Sequence, residues 1–146
     1  ARTNVAPVHH PPGETALHAF SYVKQSDSAV ESFVVAGAGD LMDQSDLQPS
    51  SIVARDLDGG DAWRLRIEQV CQEMEDRMTA IGVGWNDCSV IDVYCAEDWF
   101  SQAGDTLISR VGTSISVGLN WHVAHPPIEG LRFEMDVRRV GTEKRV

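Results

Sequence analysis

Residues 62–81, AWRLRIEQVCQEMEDRMTAI, decide the fold because their apolar side chains recur at spacings of three and four. On a helix this spacing places apolar side chains along one continuous stripe. The stripe predicts a buried helix whose core face carries Trp63, Ile67, Val70, Met74, Met78 and Ile81. Asp61 is the expected N-cap, and Gly82 and Gly84 are expected to end the helix.

The opposite side of this helix is polar, and residues such as Glu73 and Arg77 are expected to form a solvated face. Outward from the helix, alternating or continuously apolar runs predict strands, and a weaker stripe predicts a second helix. Residues 43–60 are expected to form a long loop with one short strand around Ile52 and Val53. The strands are predicted at 17–24, 30–36, 89–95, 114–123 and 131–137, and the second helix at 96–110. This order predicts an α+β domain with two helices packed on one face of a mixed sheet.

Residues 114–123 alternate between apolar and polar side chains without a fault. The apolar set, expected in the core, is Ile115, Val117, Leu119, Trp121 and Val123, and the polar set is Ser114, Ser116, Gly118, Asn120 and His122. The polar set contains none of the charged side chains that a solvent-facing strand normally carries. We therefore expect this face to lie in an interface or a pocket.

Residues 131–137 alternate in the same way before a polar tail. The side chains expected to point into the core are Leu131, Phe133, Met135 and Val137, and those expected on the other face are Arg132, Glu134, Asp136 and Arg138.

Length and composition fit one globular domain, since the 146 residues are 42% hydrophobic and 23% charged. We expect an irregular N-terminal arm at 1–16, the domain at 17–140 and a polar tail at 141–146. The net charge of -10 and the lack of a basic run disfavour nucleic acid and anionic membranes as partners. No apolar stretch approaches the roughly 18 residues of a membrane span.

Three cysteines, Cys71, Cys88 and Cys95, include no C-x-x-C pair. An odd count without such a pair indicates reduced thiols and a cytoplasmic protein, and each thiol is expected to be buried. We expect no cofactor and no metal. The run Gly37-Ala-Gly39 lacks the third glycine of a dinucleotide site, and His122 and His125 are expected to face apart.

Several stretches, in this order, resemble the Rid family, the reactive intermediate deaminases. They are Phe33–Gly37, Trp63–Gly82, Val90–Phe100 and Leu131–Val137, and the resemblance covers about residues 17–140. It implies a homotrimer with pockets between subunits, and hydrolysis of enamines or imines to carbonyl compounds and ammonia without a cofactor.

The resemblance also implies roles for individual residues. Glu134 matches the family's pocket glutamate, and Gly37 matches the backbone that lines the pocket. Gly118 stands where the family's substrate-binding arginine is expected, so the chain resembles an outlying subgroup without that arginine. Asn120 fills a neighbouring slot of the same face, and His122 follows it. Some Rid subgroups without the arginine belong to catabolic pathways for aromatic compounds, and aminomuconate deaminases are related to the family, so the resemblance implies a role of this kind.

Each of these residues has an alternative interpretation. His122 could donate a proton or activate water, or it could hydrogen-bond within a subunit interface. Glu134 could serve as the catalytic acid or base, or pair with Arg132 or Arg138. These arginines are also the nearest replacements for the missing carboxylate binder. Tyr94 could contact the substrate or only pack.

The first functional hypothesis is a cofactor-independent deaminase of a small unsaturated nitrogen compound, such as an enamine, an imine or an aminomuconate-like acid. A second hypothesis is a mutase or hydrolase acting on an amino- or hydroxylamino-aromatic acid. A third is a non-catalytic trimer that binds a small metabolite. Release of ammonia separates the first hypothesis from the other two.

Overall fold

The computed structural model describes residues 3–27, 29 and 31–144, with side chains described at all of these except 115–117. Its strands are β1 (Ala6–Pro7), β2 (Phe33–Gly39), β3 (Val90–Tyr94), β4 (Asn120–His122), β5 (Ala124–His125) and β6 (Glu134–Arg139). The α-helices within these residues are α1 (Gly60–Ala80) and α2 (Phe100–Val111). Short 3-10 helices cover Pro49–Ser51, Trp85–Asp87 and Gly112–Val117.

The main sheet has four strands in the order β2-β6-β3-β4. Strand β6 pairs antiparallel with both β2 and β3, while β3 and β4 run parallel. Strands β1 and β5 form a separate antiparallel pair, through which the N-terminal arm joins the fold. The mixed sheet and its two helices confirm the predicted α+β class.

The core lies between the helices and one face of the sheet. Phe133, Met135 and Val137 are fully buried, as the alternation of residues 131–137 predicts, and β3 adds Ile91 and Val93. From α1 the core receives Trp63, Ile67, Val70, Met74 and Met78. Because successive strand residues face opposite ways, Glu134, Asp136 and Arg138 point to the face away from the helices. Within the described residues, no helix is long and apolar enough to cross a membrane.

Helix α1 follows the predicted stripe except at its two ends. Its N-cap is Gly59 rather than Asp61, which lies in the first turn. Gly59 has a φ of 85°, a conformation that glycine adopts without steric penalty. Ile81 was predicted in the core but is 52% exposed, because the chain leaves the helix there and turns at Gly82, whose φ is 75°.

Helix α2 begins at Phe100 rather than Ala96, after a turn in which Trp99 donates its N–H to the carbonyl of Glu97. The helix is kinked at Ala103, whose φ and ψ are -152° and 23°. At Gly104 a Cβ would lie 2.8 Å from the ring of Phe100, so the kinked turn needs a glycine or a shift of that ring. Trp99, Ala103 and Leu107 are buried, as the weaker stripe predicts.

The strand predicted at 17–24 is wrong. These residues have no regular secondary structure, and Leu17, Phe20 and Tyr22 are exposed. Alternation identifies an amphipathic segment, but a strand also needs a hydrogen-bonding partner. The next strand along the chain, β2, pairs with β6, and among the described residues no strand lies along its other edge.

The strand predicted at 114–123 is wrong in its first half, where Gly112–Val117 form a 3-10 helix and only Asn120–His122 form a strand. The expected orientations of Ile115, Ser116 and Val117 concern side chains outside those the structure describes. Gly112 and Gly118 have φ values of 60° and 91°, which allow the turns at the two ends of this helix. Trp121, predicted in the core, is 38% exposed because β4 lies at the edge of the sheet.

A buried ion pair and two hydrogen bonds connect the loop that follows β2 to α1. Arg66 and Asp40 are fully buried, and Arg66 Nε lies 3.5 Å from Asp40 Oδ2. Arg66 Nη2 donates to the carbonyl oxygens of Ala54 and Leu57 at 2.6 and 2.8 Å. The backbone N–H of Phe133 donates to Asp40 Oδ1, so the ion pair links the loop to the chain just before β6. The short strand predicted at Ile52 is reduced to one bridge with Leu41.

Candidate active site

A small cleft of about 170 Å³ lies at the end of the sheet where β2 and β6 meet. Its polar part is formed by Asn4, Gln44, Arg77 and Glu134 and by the backbone of Gly37 and Gly39. Its apolar wall is formed by Leu41, Leu47, Pro127, Ile128 and Leu131. A few polar groups facing an apolar wall are typical of sites for small molecules.

Glu134 is the acidic side chain of this cleft. It is the first residue of β6 and is registered between Gly39 on β2 and Tyr94 on β3. The residue is only 4% exposed, and no hydrogen bond or ion pair to its carboxyl group is found among the described residues. The pairing with Arg132 or Arg138 that we considered is therefore not formed.

Burial raises the pKa of Glu134 to about 7, and the nearby carboxylates of Asp136 and Asp40 act in the same direction. The guanidinium of Arg77 opposes this rise. Burial disfavours the charged form because it removes water that would solvate the carboxylate. A carboxyl group with this pKa is present in both protonation states near neutral pH, so it can donate a proton in one step and accept one in another.

Gly37 lies in a bulge of β2, where the register with β6 shifts between Val35 and Ala38. Its φ of 72° favours glycine. The bulge turns the carbonyl groups of Ala36 and Gly37 toward Arg77, whose Nη1 donates to them at 2.9 and 3.3 Å. Gly37 thus lines the cleft, and the family resemblance implies a pocket-lining position for it.

Arg77 is the charged residue of the cleft lining that the sequence analysis misses. Its spacing on α1 assigns it to the solvated face, but β2 crosses this end of the helix and covers part of the side chain. The spacing of four from Glu73, with which it pairs at 2.6 Å, marks it only as one half of a helical ion pair. No sequence signal available here indicates its contact with the bulge.

A second polar group on the same face of the sheet surrounds Asp92, which is almost fully buried. Asp92 Oδ1 accepts a hydrogen bond from Asn120 Nδ2 at 2.9 Å and lies 2.8 Å from His122 Nε2. Arg138 pairs with the other carboxylate oxygen. Burial alone would raise the pKa of Asp92, but the hydrogen bonds from His122, Asn120 and Arg138 hold it well below its usual range. Asp92 is therefore a charged hydrogen-bond acceptor, and it orients the ring of His122.

Tyr94 extends this network toward the N-terminal arm. Its hydroxyl donates to Asp136 Oδ2 at 2.8 Å, and Thr3 donates to the same oxygen at 3.0 Å. Burial and the carboxylate of Asp136 raise the pKa of Tyr94, so the phenol stays protonated. The ring of Tyr94 stacks on His122, with centroids 4.8 Å apart.

Glu134, Tyr94 and His122 form one row across β6, β3 and β4. Adjacent strands lie roughly 4.8 Å apart, so the backbones of Glu134 and His122 are about 10 Å apart, with Tyr94 between them. The structure therefore brings the two predicted catalytic residues to one face of the sheet without direct contact.

Of the predicted site residues, Glu134 and Gly37 line the cleft, whereas His122, Asn120, Tyr94, Arg132 and Gly118 do not. Arg132 packs over the ring of Trp63 at 4.8 Å and pairs with Asp58 and Glu97. Gly118 lies in the exposed link before β4, where nothing approaches within 4 Å of a Cβ position.

The cysteine thiols are buried, as predicted. Burial raises the pKa of Cys71 and Cys95 to about 12 and that of Cys88 to about 11. Across the described residues, no group of three or more His, Cys, Asp or Glu side chains is arranged to hold a metal ion.

Comparison with known proteins shows the family of the chain. The family model described as 2-aminomuconate deaminase CnbZ matches residues 1–144. A curated relative, the 2-amino-5-chloromuconate deaminase of Comamonas testosteroni, is 36% identical over 140 residues, which is 94% of this chain and 55% of that protein. The chain thus spans about half the length of this relative. No solved structure matches the chain. The chain therefore belongs to the 2-aminomuconate deaminase CnbZ family, in agreement with the Rid-like deaminase resemblance of its sequence.

Proposed function

We propose that the protein hydrolyses a small unsaturated amino acid of the aminomuconate type, releasing ammonia, in the catabolism of aromatic compounds. The observation that carries this proposal is Glu134, a buried carboxyl group without a recorded partner among the described residues, which lines the cleft. The family match and the name of the Comamonas relative support the same substrate class.

The chemistry follows from the two protonation states of Glu134. The protonated carboxyl group donates its proton to the enamine carbon, which gives an iminium ion. The resulting carboxylate then takes a proton from water as the water oxygen bonds to the iminium carbon. The same group protonates the nitrogen and recovers the hydroxyl proton as the C–N bond breaks. One enamine and one water thus give one carbonyl compound and one ammonia, and Glu134 returns to its acid form.

His122, which lies outside the cleft lining and about 10 Å from Glu134 across the sheet, is the alternative to Glu134 that we propose for protonating the substrate nitrogen. Asp92 fixes its ring through Nε2, and about half of the side chain remains exposed for contact with a substrate or water. A buried carboxylate that orients an imidazole is a recurrent arrangement for an acid or a base. Asn120 and Tyr94 then help to position His122, Asn120 through its bond to Asp92 and Tyr94 through stacking.

We further propose a cytoplasmic homotrimer whose cleft is completed by a neighbouring subunit. At about 170 Å³ the cleft is smaller than the roughly 300–1,000 Å³ of ordinary ligand pockets. The partly exposed Trp121 and Val123 at the sheet edge offer apolar surface for such a contact. The buried free thiols suit a reducing compartment.

The test is incubation of the purified chain with 2-aminomuconate, with ammonia and the enamine absorbance measured together. Deamination predicts one ammonia for each enamine lost. Loss of the enamine without ammonia would favour a mutase instead. A ligand-induced rise in the melting temperature without turnover would favour a non-catalytic binder, since a ligand at 100 times its Kd stabilises by about 2.7 kcal/mol.

A further inference from the structure

Arg77 lies in the last turn of α1 and is held in place on two sides. Its Nε lies 2.6 Å from Glu73 Oε1, and its Nη1 donates to the carbonyl oxygens of Ala36 and Gly37. A guanidinium has five N–H donors, of which Nη2 carries two. No partner for Nη2 is found among the described residues, and the side chain remains 31% exposed.

The bulge of β2 fixes where these remaining donors lie. Because the bulge carbonyl groups hold Nη1, the guanidinium is fixed beside Gly37, and both residues line the cleft that contains Glu134. Bulges commonly redirect groups next to active sites. Here the bulge brings a helix residue into a site that is otherwise formed by strands and loops.

Arg77 pairs with one carboxylate, that of Glu73, and its Nη2 has no partner among the described residues, so it can still bind an anion. Arg132 and Arg138 are occupied, the first by Asp58 and Glu97 and the second by Asp92 and Glu143. Among the described residues that line the cleft, Arg77 is the one cation. A chain with a net charge of -10 repels anions over most of its surface, so an anionic substrate requires a local cation.

We infer that Arg77 binds a carboxylate of the substrate through Nη2, while the unsaturated carbon chain lies along the apolar wall of Leu41, Ile128 and Leu131. This inference rests on the proposed function and defines the substrate class as an anionic unsaturated acid. It assigns to a helix residue the carboxylate contact that the sequence analysis sought on Arg132 or Arg138.

A purely structural role is the alternative, since the same contacts fasten α1 to the bulge. The two roles differ in their dependence on ligand charge. If Arg77 is an anchor, meaning that it binds the substrate carboxylate, its loss weakens binding of a carboxylate but not of a neutral amide of the same shape. If Arg77 only holds α1 against the bulge, its loss affects the binding of both ligands equally.

The experiment uses calorimetric titration of the full chain with cis,cis-muconate, which has the carbon chain and carboxylates but no amino group. Arg77→Gln is expected to weaken muconate binding roughly 10- to 100-fold, the range for hydrogen bonds between charged groups. The diamide of muconate is expected to bind weakly and with the same affinity to both proteins. Arg64→Gln is the control, because Arg64 is exposed on the same helix and pairs only with Asp61 among the described residues.

Arg77→Lys keeps the positive charge and provides a second variant if Arg77→Gln does not fold. It is expected to bind muconate with intermediate affinity. If Arg77→Gln or Arg77→Lys binds muconate with the affinity of wild type, Arg77 is not the carboxylate anchor. A matching loss for the diamide, or no muconate binding to wild type, would overturn this role as well. If muconate binds as expected but 2-aminomuconate yields no ammonia, the anchor stands and the proposed deamination fails.

Discussion

Replacement of Glu134 by glutamine should stabilise the protein at high pH relative to low pH. Glu134 ionises at about 4.5 when unfolded, and its folded pKa is about 7. Above pH 7 the carboxylate is charged in both states but is penalised only in the folded one. As the pH falls from 7 to 4.5 the folded state takes up the proton first, so the penalty disappears.

The magnitude follows from the size of the pKa shift. A rise from 4.5 to about 7 corresponds to about 3 kcal/mol of unfolding free energy, since one pKa unit is worth about 1.4 kcal/mol. The stability of Glu134→Gln relative to wild type should therefore increase by about 3 kcal/mol between pH 4 and pH 8. Any packing cost of the amide is the same at every pH and cancels in this difference.

Urea unfolding followed by tryptophan fluorescence at several pH values measures this effect. Glu68→Gln is the matched control, because Glu68 is an exposed residue of α1 away from the cleft. Its stability relative to wild type at each pH gives the baseline for replacing an exposed carboxyl group by an amide. A constant offset between Glu134→Gln and wild type from pH 4 to pH 8 would refute the account of a buried carboxyl group with a raised pKa.

Three further predictions concern the rest of the structure. Asp92→Asn should cost about 2 kcal/mol at pH 7, because it weakens the charge-assisted hydrogen bonds that this buried carboxylate accepts from His122, Asn120 and Arg138. In urea melts this difference should shrink as acid titrates the wild-type carboxylate below pH 4, and a pH-independent difference would contradict it. Cys71, Cys88 and Cys95 should react with a thiol reagent only on unfolding, because burial raises the pKa of each thiol. Rapid labelling of the native protein would refute that. Light scattering at micromolar concentration should show a trimer, and a stable monomer would remove the shared cleft.

The parts of the fold that the sequence predicts correctly are those with strict periodicity. The stripe of α1 and the alternation of residues 131–137 each specify which side chains are buried, and the structure agrees at every core position except Ile81. Residues 114–123 alternate without a fault and residues 17–24 alternate less strictly, yet the first stretch forms a strand over only three residues and the second forms none. Periodicity gives the faces of a segment but does not identify a pairing partner.

The sequence predicted the lining of the cleft only at Glu134 and Gly37, which match family motifs, and the catalytic and binding roles assigned to them stay predictions. Glu134 and Gly37 line the cleft together, as the resemblance implies. Arg77 was missed because its environment depends on the bulge at Ala36 and Gly37, 40 residues earlier in the chain. Arg132 was proposed from its neighbourhood in sequence, but it contacts Asp58 and Glu97, which are distant in the chain.

Ammonia release from 2-aminomuconate by wild type, Glu134→Gln and Glu68→Gln, measured side by side at pH 7, tests the central claim most directly. The account predicts turnover by wild type and Glu68→Gln, and a loss of roughly 10²–10⁴-fold in Glu134→Gln without loss of folding, because an amide cannot exchange a proton at this pH. Ammonia release at the wild-type rate by folded Glu134→Gln would contradict it.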